Sequence, residues 1–167
     1  WRQIRMTCDT ENPKLTEDFN FFMLEIQPKI QPYSDLLNRK LVDSPFSKEL
    51  LAPEYFTYLR NVKKNIDLFR EENISLQSAM AVEAQNFGVI SGKMTVTIQS
   101  KEYTLQQAAK FLEEPDRNLR EEVYRKIAER RLEDREALDD LFDSLLQKRH
   151  QIALNAGYEN YRDYRFI

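Results

Sequence analysis

The chain has 167 residues, with 25 basic and 28 acidic side chains and a net charge of −3; that length suits one domain with a real core, and charges so nearly balanced do not suit a polyanion as main partner. Only 3 glycines and 6 prolines argue against a turn-dense all-β fold, collagen or a disordered linker. One cysteine, Cys8, and one histidine, His150, exclude an intrachain disulfide framework, a cysteine-based zinc site and a two-histidine zinc helix.

In chain order, Thr16-Glu17-Asp18 can cap a helix through Phe19, Phe22, Met23 and Ile26 that ends at Pro28. A second helix is predicted over Tyr33 to Val42, closed by Ser44-Pro45. Pro53 suits a first helical turn, where a missing N–H costs nothing. Tyr55, Leu59, Val62, Ile66 and Phe69 then form a helical seam. Asn73 reads as the N-cap of the next helix, Ile74 to about Ile90.

Between Gly92 and Leu105 the hydrophobic period changes to two. A two-residue turn at Ser100-Lys101 places Val96, Ile98, Tyr103 and Leu105 on one face of a hairpin. Thr104 and Gln107 fit a capping box, opening a short helix through Phe111-Leu112 that ends before Pro115. Asp116 to Ala156 is the strongest helical stretch. Leu119, Val123 and Ile127 form one stripe; Leu138, Phe142, Leu145, Ile152 and Ala156 form another. The stripes drift apart across Arg130 to Glu136, so a kink or tight break is expected there. Gly157 suits the position just past the helix end, where φ turns positive.

No apolar run approaches the ~18 residues that a membrane span needs. Trp1-Arg2-Gln3-Ile4 lacks a starter Met and a signal-peptide core. No membrane partner, no nucleic-acid partner and a cytoplasmic location are expected. Phe166-Ile167 ends the chain on large apolar side chains, and both ends read as cut from something longer.

Few residues suggest chemistry. The positions three and four residues from His150 are Leu146, Gln147, Ala153 and Leu154, none a metal ligand, so His150 reads as a surface or partner-facing side chain. Glu83 lies between Met80 and Phe87 on an apolar segment. It is either a carboxylate poised for proton transfer or a buried acid paired with an arginine, and the second reading is preferred. The Asp116–Arg149 block alternates in sign and reads as a solvated helix face. Tyr158, Tyr161, Tyr164 and Phe166 could stack bases or line a peptide groove but read better, together with Ile167, as an apolar surface meant for another part of a longer protein. No catalytic or metal residue is assigned within this chain, and no substrate-binding residue is singled out.

The second half carries a family resemblance. Pro115-Asp116-Arg117-Asn118-Leu119-Arg120-Glu121-Glu122-Val123-Tyr124, followed by a long helix, Arg149-His150-Gln151-Ile152-Ala153 and Ala156-Gly157-Tyr158-Glu159-Asn160-Tyr161, resembles the region upstream of the zinc motif in the oligoendopeptidase F family, relatives of thimet oligopeptidase. The resemblance spans the chain and is densest over residues 92–166. It implies a mainly α fold, an antiparallel helical lobe with one small β-hairpin near residues 94–105. A single lobe is expected over 1–167: helices over 1–91, the hairpin over 92–105, helices over 105–157, and an aromatic segment, 158–167, leading into a missing catalytic part. The family holds zinc through an H-E-x-x-H helix and a further Glu, and hydrolyses short peptides in a deep channel. This chain has no H-E-x-x-H. The resemblance therefore implies a channel-forming segment, inactive alone, of a zinc metalloendopeptidase; its partners are the catalytic remainder and short peptides, and zinc belongs to the parent protein. The rival reading is a free-standing helical interaction module.

Overall fold

The computed structural model of the protein describes residues 1–50 and 53–166. The fold is mainly α, with a two-stranded antiparallel sheet. The helical elements in the first half are α1 (Arg2–Cys8), α2 (Pro13–Phe21), a π-helical turn (Phe22–Ile26), α3 (Gln27–Asp43), a 3-10 turn (Pro45–Glu49), α4 (Pro53–Leu68) and α5 (Glu72–Gly92). The hairpin strands are β1 (Thr95–Ile98) and β2 (Lys101–Thr104). They lead into α6 (Leu105–Ala109), a 3-10 turn (Lys110–Glu113), α7 (Arg117–Glu133), α8 (Arg135–Asn155) and α9 (Tyr161–Arg165).

The chain forms two compact units. One comprises Trp1–Thr16 and Glu83–Ser144; the other comprises Glu17–Val82 and the stretch from Leu145 onward.

The core of the first unit is Met94, Val96, Ile98, Leu105, Ala108, Val123 and Ile127. Alternation along β1 sends Val96 and Ile98 inward, and the helical period of α7 brings Val123 and Ile127 to meet them. The expected stripe Leu119, Val123, Ile127 is the inward face of α7. At the hairpin corner Tyr103 meets Phe111 edge to face, with ring centroids 5.1 Å apart. The capping box is formed in both directions: Gln107 N donates to Thr104 Oγ1 at 3.3 Å and Thr104 N to Gln107 Oε1 at 3.1 Å. Asp116 caps α7, accepting from Asn118 N at 2.9 Å. The break between α7 and α8 falls at Asp134, inside the window where the stripes drift.

The core of the second unit gathers Leu68, Ile152, Ala153, Ala156 and Tyr164. α8 ends in a Schellman turn: Gly157 N donates to Leu154 O at 2.9 Å and Tyr158 N to Ala153 O at 3.0 Å. Gly157 has φ +86°, a conformation that costs glycine little. Asn160 then caps α9. This reversal lays Tyr158, Tyr161 and Tyr164 back on the unit's own core. Tyr164 is buried and stacks on Tyr161 at 5.5 Å. The three tyrosines therefore do not form the expected outward apolar surface. Phe166 is exposed, and Ile167 lies outside the described residues.

Four local expectations are corrected. The helix opened by α2 does not end at Pro28: the chain stays helical through the wider π turn, and Pro28 falls in the first turn of α3, where a missing N–H is tolerated. α2 begins at Pro13, so Thr16 lies inside it. The hairpin turn is Gln99-Ser100, with φ +50° and +64°, not Ser100-Lys101. Two consecutive positive φ values match the twist of an antiparallel pair, and the register is Val96↔Tyr103 and Ile98↔Lys101. Phe142 is exposed rather than part of the inward stripe.

Candidate functional site

Asn73 is also corrected, from helix cap to core residue. It sits inside the first turn of α5, fully buried. Its Nδ2 donates to Ile152 O at 3.0 Å, and its Oδ1 accepts from Asn155 Nδ2 at 2.7 Å. Arg70 Nη2 reaches Ala156 O at 3.3 Å beside it. These bonds satisfy buried polar groups near the end of α8 and fix it to α5 within the second unit. They are structural.

The first unit holds a groove of about 370 Å³ between α5 and α8, lined in part by Glu83, Asn86, Asp140 and Leu141. Glu83 is half-buried, and its Oε1 accepts from Ser144 Oγ at 2.6 Å. A hydroxyl held on a carboxylate could begin a nucleophile–base arrangement, but such a pair needs a base of suitable strength and a third orienting group. The chain's one imidazole, His150, is exposed, as the sequence reading has it.

The second unit holds a groove of about 500 Å³. One wall is Leu24 of the π turn with Pro28 and Pro32 of α3; the other is Glu71 with Ile74, Ser75 and Ser78 of α5. Ser78 is 2% exposed, and its hydroxyl meets no hydrogen-bond partner among the described residues. Nothing in the sequence signals this groove. Leu24 and Ser78 are far apart along the chain, and serine inside a helix is unremarkable until its surroundings are known.

Among the described residues, Asp163, Tyr164 and Arg39 are displaced from their ordinary ranges. The Asp163 carboxyl is lowered, first by the Asn160 amide and then by the Arg162 guanidinium. Burial, and then the neighbouring Tyr161, pushes the Tyr164 phenol up. Hydrogen bonding to Asp35 raises Arg39. None of the three lines either groove. No cluster of three or more His, Cys, Asp and Glu side chains able to hold a metal occurs among the described residues. The zinc that the resemblance implies therefore has no donor set in them. No described helix is long and apolar enough to cross a membrane.

Residues 1–69 match the family model of the peptidase M3 N-terminal domain. No curated protein matches the sequence. Among solved structures, the fold is similar to a protein described as an oligoendopeptidase F, at TM-score 0.87 and 23% identity over 98% of this chain and 29% of that one. A second such protein, from Bacillus anthracis str. Ames, aligns at TM-score 0.85 and 24% identity over 98% and 31%. PZ peptidase A, solved with an inhibitor, aligns at TM-score 0.80 and 25% identity over 98% and 29%. The chain thus spans 29% to 31% of the length of these structures. Residues 1–69 are thus similar to the peptidase M3 N-terminal domain, and the fold over 98% of the chain is similar to that of the oligoendopeptidase F structures.

Proposed function

We propose that this chain is the N-terminal, channel-shaping lobe of a zinc metalloendopeptidase that hydrolyses short peptides in the cytoplasm. The observation that supports this most is the M3 family match over residues 1–69. The 167 residues contain no H-E-x-x-H, so hydrolysis and zinc binding belong to a catalytic remainder. The lobe contributes binding: it walls the channel, admits extended peptides and excludes folded proteins.

The rival reading, a free-standing interaction module, draws on the exposed apolar side chains Tyr33, Leu36 and Leu37 of α3 and Phe56 and Tyr58 of α4. The two readings separate in one assay. The chain alone and the product of its longer coding frame are washed with chelator, given zinc and offered a quenched fluorescent oligopeptide. Cleavage by the longer product and none by the chain is expected. Cleavage by the chain alone, or by neither, would overturn the peptidase-lobe reading.

A further inference from the structure

We propose that the exposed apolar face of α3 is the docking surface for the rest of the polypeptide to which this chain belongs. The proposal rests on the reading above only in taking the chain as part of a longer protein.

α3 spans 17 residues and buries none of them. A helix in water draws most of its stability from packing an apolar face, and Pro32 inside α3 removes one of the helix's own hydrogen bonds. Yet Ile30, Tyr33, Leu37 and Leu41 recur at steps of three and four, which places them on one stripe. α3 packs against α4 within the second unit, but Ile30 stays 44% exposed, Leu37 65% and Tyr33 69%. A groove of about 280 Å³ follows the start of the stripe, with Phe21, Ile26, Ile30 and Tyr33 in its lining. The two charges there, Glu25 and Lys29, pair with each other at 3.8 Å. The face is therefore apolar with nearly balanced charge, which suits a protein surface rather than a charged ligand.

The occupant follows from length. The similar solved structures match 98% of this chain with only 29% to 31% of their own, so more than two thirds of each lies outside the matched region. A helix that is apolar on more than its packed side is one that a larger protein buries. Further chain laid on the stripe supplies the packing that α3 lacks among the described residues.

The test compares the 167-residue chain with the product of its full coding frame. Ile30→Cys and Leu37→Cys are made in a Cys8→Ser background, because Cys8 is exposed, and maleimide labelling at each introduced thiol is followed by peptide mass spectrometry. Labelling is expected to be at least about tenfold slower in the longer product, where the thiol is reached only through local opening. Tyr33→Ala combined with Leu37→Ala should lower the melting midpoint of the longer product and leave that of the chain unchanged. Equal labelling rates in the two proteins would overturn the proposal. So would labelling of the chain alone that slows as its concentration rises, which would give the face to a second copy. Peptide cleavage is scored separately: an uncovered face on an active longer product sinks only the docking surface, and a covered face on an inactive one sinks only the peptidase reading.

Discussion

Asn73 shows how far one side chain's role depends on tertiary context. Asparagine before an apolar run is a good cap, yet here the helix starts at Glu72, two residues before the expected Ile74, and the amide turns inward to Ile152 and Asn155. Nothing local distinguishes the two roles, because both partners lie about 80 residues away. Asn73→Ala is expected to cost about 1–3 kcal/mol, since it strips two hydrogen bonds from buried groups; a urea melt with an unchanged midpoint would contradict the network. Asp163 makes the opposite case. It lies three residues after the α9 cap, where Asn160 Nδ2 donates to its Oδ2 at 2.8 Å and its N–H donates back to Asn160 Oδ1 at 2.9 Å. Its pKa is lowered in the fold, so the contribution is present at neutral pH and is lost as pH falls through the depressed value. An NMR titration should find its midpoint below the ordinary aspartate range, and Asn160→Ala should move it back up. A midpoint indifferent to that substitution would show that the cap bonds do not hold the carboxylate.

Among the elements, the helices were legible where a stripe and a cap agreed. Thr104 with Gln107, Asp116, the break near Asp134 and Gly157 all stand where periodicity and end signals place them. The hairpin shows the limit. Alternation fixes which side chains share a face, but shifting the partners by two residues leaves that face unchanged. Pairing Ile98 with Tyr103 or with Lys101 satisfies the pattern equally, and turn geometry chooses the second. Ser100→Gly is therefore expected to stabilise the protein by about 0.5 kcal/mol, because relief of a strained positive φ exceeds the added chain entropy; a lower melting midpoint would place the turn elsewhere. On α8, Phe142 was misassigned while Leu145 is buried at 8% exposure. Leu145→Ala should cost about 2–5 kcal/mol by opening a cavity. Glu122→Ala removes an exposed pair with Lys126 at 2.7 Å and should cost under about 1 kcal/mol. Equal urea midpoints for the two variants would mean that Leu145 faces solvent.

For the molecule as a whole, fold class and family resemblance were legible, and the candidate groove was not. The resemblance spans the chain and is densest over residues 92–166, whereas the family model matches residues 1–69, where prolines and the π turn obscured the helices. The groove depends on two segments that meet only in three dimensions. The tyrosines after Gly157 were read as an outward surface because the chain ends among them, but a Schellman turn and a capped short helix return them to the core. The central claim, that this lobe serves a catalytic remainder, is tested most directly by sequencing the coding frame beyond Ile167. The account predicts several hundred further codons that include H-E-x-x-H. A stop codon close to Ile167, or a long extension without that motif, would contradict it.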